Sequence, residues 1–118
     1  MYGLPSDFAA TVFAGQELTQ VSFTTNTVHF SFDEHHSITV ESTFVYRPDA
    51  ASVEATQAVP AVHSEIMGLL GKTVLRAEAD RDGVLKLEFL GGGLLVFRDD
   101  SKEYESYQIR IGKRQISV

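Results

Sequence analysis

Two adjacent histidines, His35 and His36, directly follow the acids Asp33 and Glu34, and these four side chains carry the donor atoms that a divalent metal ion needs. On a strand, adjacent side chains point to opposite faces, so only a turn would bring both imidazoles to one ion. The spacings typical of metal sites, such as HxH or HExxH, do not occur. A polar turn explains the four residues more simply. His35 and His36 are therefore weak metal candidates, and we expect no cofactor.

Acid pairs and a glycine run could also do chemistry, but both fit turns better. Asp80 and Asp82 resemble the start of a calcium loop, yet the later glutamate of an EF-hand is missing. Asp82-Gly83 and Gly91–Gly93 are typical of turns between strands, because glycine adopts positive φ freely. A phosphate-binding loop would lead into a helix, whereas this glycine run leads into the apolar segment 94–97. No GxSxG motif is present. The sequence therefore predicts no catalytic residue.

Tyr104 and Tyr107 lie three residues apart in a connection that is rich in acids. Tyrosine is favoured where one end of a side chain is buried and the other is wet, as at protein interfaces. The alternative is that Tyr107 begins a strand and packs inward while Tyr104 covers the core. Both tyrosines are candidate partner contacts.

The net charge of −6 is concentrated in the first half of the chain. Residues 1–58 contain seven acids, among them Asp33, Glu34 and Glu41, against the single base Arg47. This balance disfavours nucleic acid, whose phosphates require clustered lysine and arginine. It favours a basic protein partner through electrostatic steering. The simpler alternative is that the charge only maintains solubility.

The remaining composition narrows the class of protein. The chain has 118 residues, which suits one domain with a single core. It contains no cysteine, so disulfides and thiolate sites are excluded. No apolar run approaches the roughly 20 residues of a membrane helix. The N-terminus lacks the basic and then apolar layout of a signal peptide, so we expect a cytoplasmic protein without membrane contact.

Alternating apolar residues predict short strands throughout the chain. Residues 28–32 and 85–89 alternate most clearly, and turn signals flank both segments. Apolar positions from residue 13 to residue 40 recur at an offset of 56 and then 57 residues. We therefore predict two helix-plus-three-strand repeat units, at about 6–46 and 60–98, followed by a terminal hairpin at about 107–118. The two units should pack their apolar faces together.

The fold class predicted from this pattern is α+β, mainly antiparallel β, in two packed sheets or one strongly curved sheet. Its main helix should lie near residues 60–70, where Val62, Ile66, Leu69 and Leu70 form one apolar stripe. A shorter helix should begin near Ser6 and end at Gly15. The predicted core residues are Phe13, Leu18, Val21, Phe30, Phe32, Val40, Ile66, Leu70, Leu85, Leu87, Phe89 and Phe97.

Four segments carry a resemblance to a known family. They are the GLPSDF sequence near the start, residues 70–74, residues 85–89, and residues 104–109. On these segments the chain resembles a family of small uncharacterised bacterial proteins, and this resemblance implies no activity and no catalytic residue. As small acidic domains without an active site, such chains are also similar to bacterial toxin-immunity proteins.

Three functional hypotheses follow. The leading one is a non-enzymatic, immunity-like protein-binding module with a basic partner, contacted through Asp33, Glu34, Glu41, Tyr104 and Tyr107. The second is a small-ligand-binding domain with a pocket between the two repeat units. The third is a metal-dependent enzyme that uses His35 and His36. A homodimer through the edge of the terminal hairpin is a further prediction.

Overall fold

The computed structural model describes residues 3–41, 43–48, 55–58, 66–99 and 106–118, and these residues form ten strands. The strands are, in chain order, β1 (Leu18–Phe23), β2 (Val28–Phe32), β3 (His36–Val40), β4 (Thr43–Arg47), β5 (Ala55–Ala58), β6 (Val74–Ala79), β7 (Leu85–Phe89), β8 (Leu94–Phe97), β9 (Tyr107–Ile111) and β10 (Arg114–Ser117). They pair antiparallel in two five-stranded sheets. The first sheet has the order β1-β2-β3-β9-β10, and the second has the order β5-β4-β8-β7-β6.

The predicted α+β class is wrong, because the described residues are almost entirely antiparallel β. Their helical segments are three short 3₁₀ turns at Ala10–Phe13, Asp33–His35 and Ile66–Leu69. The main helix predicted near residues 60–70 is represented only by the last of these turns, since residues 59–65 lie outside the described ranges. The helix predicted between Ser6 and Gly15 is likewise a single four-residue turn.

The spacing of the buried residues explains this error. Ile66 and Leu69 are buried and lie three residues apart, which matches one turn of a 3₁₀ helix. Leu70 was assigned to the same apolar stripe, but its side chain is 42% exposed. Gly71 then takes φ of +82° and ends the turn. Within the described residues, Ile66 and Leu69 therefore anchor a 3₁₀ turn.

β2 and β7 form where apolar and polar residues alternate. In β2, Val28, Phe30 and Phe32 are buried, and the intervening residues are only partly buried. One cluster of buried residues includes side chains of both sheets. Phe30 of the first sheet contacts Phe44 and Phe97 of the second edge-to-face, with ring centroids 5.5 and 5.6 Å apart. Aromatic packing therefore joins the two sheets.

Most of the predicted core is confirmed. Ten of the twelve predicted residues are buried, whereas Val21 is partly buried and Leu70 is exposed. β4 and β8 contain buried residues on both faces: Val45 and Val96 form a small outer cluster, and Phe44 and Phe97 belong to the main core. The apolar run at residues 44–46 is consistent with burial on both faces.

β1 and β6, which are edge strands of the two sheets, start with matching geometry. Gly15 and Gly71 take φ of +83° and +82°. The Gly15 N–H donates to the Val74 carbonyl, and the Gly71 N–H donates to the Leu18 carbonyl, both at 2.8 Å. β1 and β6 each shift register after their first residue. The division into repeat units at about 6–46 and 60–98 stays a prediction, and the described residues before β1 and β6 include the 3₁₀ turns Ala10–Phe13 and Ile66–Leu69.

The interpretation of Asp80 and Asp82 as turn residues is confirmed. One carboxylate oxygen of Asp80 accepts the N–H groups of Asp82, at 2.9 Å, and Val84, at 3.1 Å. Gly83 takes φ of +86° between β6 and β7. This carboxylate therefore satisfies the backbone of a tight turn.

Candidate functional site

The outward face of the first sheet carries the largest depression described. Because side chains alternate across a strand, His29 and Ser31 of β2, Ser37 of β3 and Arg110 of β9 share the face opposite the core. The depression has a volume of about 820 Å³, and it reaches from Thr19 to Lys113. A second depression of about 270 Å³ adjoins it and shares His29, Ser37 and Arg110. We call the two together the outer groove.

Strand pairing places polar side chains in two rows across this groove. Ser31 lies opposite Ser37, which in turn lies opposite Arg110. In the neighbouring row, His29 lies opposite Thr39. Directly opposed residues in an antiparallel pair have their Cβ atoms about 4.5–5.5 Å apart. The rows therefore form a compact polar surface on a hydrogen-bonded sheet.

Side-chain hydrogen bonds order one end of this surface. The Arg110 Nη2 donates to Gln115 Oε1 at 3.2 Å, and Gln115 Nε2 donates to Gln108 Oε1 at 2.9 Å. Gln108 Nε2 continues the chain to Glu41 Oε2 at 3.3 Å. One of the five N–H groups of the Arg110 guanidinium is therefore bound to Gln115 of β10.

His29 lies at the point where the two depressions meet. Its Nδ1 is 2.6 Å from the hydroxyl oxygen of Thr39. Burial lowers the pKa of His29 below its ordinary value of 6.5, and the nearby charge of Arg110 lowers it further. The imidazole is therefore neutral at pH 7.

The segment 33–36 was considered above as a metal site, and its described side chains have different surroundings. Asp33 Oδ2 accepts the N–H of Glu17 at 3.0 Å. The His36 ring packs edge-on against Phe13, with centroids 5.8 Å apart, and His35 takes φ of +63°. Both histidines line the outer groove, whereas the side chain of Glu34 lies outside the described part. Among the described residues, no three histidine, aspartate or glutamate side chains form a group that could hold a metal ion.

Of the predicted partner contacts, the structure describes the side chains of Asp33, Glu41 and Tyr107, and these three do not share one surface. Asp33 precedes β3, and Glu41 follows it at the opposite end. Tyr104 lies outside the described ranges. Tyr107 is buried, and its hydroxyl donates to the Gly83 carbonyl at 2.6 Å, so this tyrosine belongs to the core and not to an exposed contact surface. Burial, and secondarily the charge of Asp80, raises its pKa well above the ordinary value of 10.0.

Replacing Tyr107 with phenylalanine should lower the free energy of unfolding by about 1–3 kcal/mol, because the buried Gly83 carbonyl loses its partner. Urea unfolding of both proteins checks this expectation. Tyr46 to phenylalanine is an informative comparison, since that tyrosine is also buried but lies in the second sheet. An unchanged unfolding midpoint for Tyr107→Phe would show that the hydrogen bond contributes nothing.

One depression of about 400 Å³ is lined by both predicted repeat units, with Ser6 and Phe8 from the first and Asp80 from the second. The space between the sheets holds Phe30, Phe44, Phe97 and other buried side chains. A smaller depression of about 250 Å³ on the second sheet is lined by Arg47, Lys86 and other charged residues. A ligand would therefore bind outside the core.

Sequence reasoning overlooked the central residues of the groove. The alternating pattern of residues 28–32 marks His29 only as a surface residue of a strand, and the terminal hairpin shows Arg110 only as one of several basic residues. The alternation of β2, β3 and β9 does place these side chains on outward faces. The local sequence pattern cannot show that β3 pairs with β9, and this pairing brings the outward faces of the two strands side by side.

The fold and groove together define a two-sheet antiparallel β domain with a polar depression on the outward face of one sheet. Comparison with protein families then identifies its family. A family of unknown function, DUF6188, matches residues 10–117, and the chain belongs to it. No curated protein and no solved structure matched the chain.

This match confirms the predicted membership of a family without an assigned activity. Bacterial origin and similarity to toxin-immunity proteins stay predictions. In the part of the chain that is described, no helix is long and apolar enough to cross a membrane.

Proposed function

We propose that this chain is a non-enzymatic binding domain whose outer groove takes an anionic group, either a carboxylate or a phosphate-type oxyanion. The observation that carries the proposal is the charge of the groove lining. The cations Arg110 and Lys113 line the larger depression, and Asp33 is the one acid among the described residues that line it. The Asp33 carboxylate already accepts a backbone N–H.

The cations of the groove are available for a ligand. Within the described ranges, neither Arg110 nor Lys113 takes part in an ion pair. Arg110 uses one N–H on Gln115, which leaves further donors for a planar, two-point contact with an oxyanion. The hydroxyls of Ser31 and Ser37 supply neutral donors beside it. A hydrogen-bonded sheet holds these groups in place before a ligand arrives.

The anionic group can be a free ion or can be carried by a partner protein as an acidic side chain. An acidic side chain of a partner protein would retain the protein-binding role predicted from the sequence, with the outer groove as the contact surface. The basic partner, the cytoplasmic location and the homodimer stay predictions. For a basic partner, Asp33 and Glu41 are separated by the length of β3, and each accepts a hydrogen bond from this chain.

Neutralising the two cations should weaken anion binding at least about tenfold, because each charge-assisted hydrogen bond contributes about 1.5–3 kcal/mol. The test compares the wild type with the double variant Arg110→Gln, Lys113→Gln. Sulfate and the peptide acetyl-Glu-Glu-Glu-amide are titrated into each ¹⁵N-labelled protein, and amide chemical shifts give the affinity.

Lys86→Gln is the matched control, since it removes one positive charge from the outward face of the second sheet. We expect its affinity to equal that of the wild type. Shifts confined to the groove with sulfate alone would identify a free oxyanion, and shifts with the peptide alone would identify a carboxylate on a polypeptide. No saturable shift with either probe, or equal losses in the control and the double variant, would refute the proposal.

A further inference from the structure

His29 occupies the centre of the outer groove. It lines both depressions, and it lies between Ser22 of β1 and Thr39 of β3 in the strand register. Arg110 of β9 is close enough for its charge to act on the imidazole. An anion held by Arg110 would therefore lie beside a group that can itself take up a positive charge.

We infer that the outer groove binds its anion together with one proton, which His29 accepts, so that affinity rises as the pH falls. This inference rests on the function proposed above and adds a regulation to the same site. His29 is then a residue that sets the pH range of binding.

The contact with Thr39 allows His29 to change its charge without losing a hydrogen bond. A hydroxyl can donate to the unprotonated Nδ1 of a neutral imidazole, and it can accept from the Nδ1–H of an imidazolium. Rotation of the Thr39 hydroxyl serves both states. The structure therefore holds the ring in one position while its charge changes.

The charges around His29 determine whether anion binding favours or opposes its protonation. The strands on either side contribute Ser22, Thr39 and Ser37, which carry no charge. Further along the groove, Arg110 and Lys113 are basic, Asp33 is acidic, and His35 and His36 are titratable, while Gln108 and Gln115 are neutral. In the empty groove, burial and Arg110 oppose protonation of His29. A bound anion offsets the charge of Arg110 and so favours the imidazolium.

Linkage then fixes the pH dependence of binding. The pKa of His29 is lowered in the free protein and rises when the anion binds. Affinity is therefore highest below the pKa of the free protein, falls as the pH rises between the two pKa values, and is constant above the pKa of the complex. A pKa difference of about one unit corresponds to a change of about tenfold in affinity.

The experiment measures sulfate binding from about pH 5 to pH 8, the range in which histidine titrates, while sulfate itself stays a dianion. Acetyl-Glu-Glu-Glu-amide serves as the carboxylate probe, since glutamate is ionised over most of this range. We expect affinity to rise about tenfold from the alkaline to the acidic plateau, and the imidazole resonances of His29 to report a higher pKa with the probe at saturation.

The variant His29→Gln should lose the pH dependence of binding between pH 5 and pH 8, because glutamine stays neutral. A pH dependence that persists in this variant would place the proton on another group, such as His35 or His36, and would overturn the inference. So would an unchanged His29 pKa in the wild-type complex. Both of these results leave anion binding itself intact, whereas absence of binding at every pH would overturn the proposed function as well.

Discussion

Replacing Phe30 with alanine should lower the free energy of unfolding by about 3–5 kcal/mol. The side chain is fully buried in β2, the strand between β1 and β3. Its ring packs edge-to-face on Phe44 and Phe97, both of which belong to the other sheet. Truncation would remove the apolar surface of one ring and two aromatic contacts, each of which contributes about 0.5–1.5 kcal/mol beyond burial.

Urea unfolding followed by circular dichroism measures this loss, and Phe23→Ala is the matched control. Phe23 ends β1 in the same sheet and is 39% exposed. We expect the control to lose less than about 1 kcal/mol, in line with substitutions away from the core. Similar losses in both variants would show that Phe30 does not hold the two sheets together as the structure indicates.

The strands that carry these rings were predictable because their signal is local. Residues 28–32 and 85–89 alternate apolar and polar side chains, and the structure places both segments in strands with their apolar residues buried. The turn at Asp80–Val84 was equally local, since aspartate and glycine there satisfy a short-range geometry. Short-range rules therefore account for the hairpins of both sheets.

The helices could not be predicted correctly, because three or four apolar residues at helical spacing also suit a single 3₁₀ turn. Phe8, Val12 and Phe13 contact the core around the turn Ala10–Phe13, much as a helical stripe would. A longer helix and a single 3₁₀ turn differ in the number of consecutive turns. Gly15 and Gly71 end these segments early with positive φ.

The outer groove was hidden for a different reason. It depends on β9 pairing with β3, for example Arg110 with Ser37, and contacts between such distant segments leave no mark in a local pattern. Contacts between distant segments also weaken the argument that the acid-rich first half of the chain binds a basic partner. Asp7 of the acid-rich first half forms an ion pair with Arg114 of the terminal hairpin at 3.0 Å. Charge counted along the chain therefore misrepresents charge on the surface.

Replacing Gly83 with alanine should lower the free energy of unfolding by about 2–5 kcal/mol. Two costs combine at this position. Its φ of +86° is unfavourable for a residue with a Cβ, by about 1–2 kcal/mol. A Cβ at this position would also lie 2.7 Å from the Cβ of Asp99 and 3.2 Å from the Cα of Gly3. Such overpacking adds about 1–3 kcal/mol, because neither contact is the far end of a flexible side chain.

Gly91→Ala separates the two costs. Gly91 takes φ of +85°, nearly the value of Gly83, but a Cβ there would meet no atom within 4 Å. The control should therefore lose only the conformational part, about 1–2 kcal/mol. The difference in the free energy of unfolding between Gly83→Ala and Gly91→Ala measures the cost of placing a Cβ against Asp99 and Gly3. The same turn between β6 and β7 also accepts a hydrogen bond, from the Tyr107 hydroxyl to the Gly83 carbonyl. Equal unfolding midpoints for the two variants would mean that the N-terminal segment and Asp99 do not pack against this turn in solution.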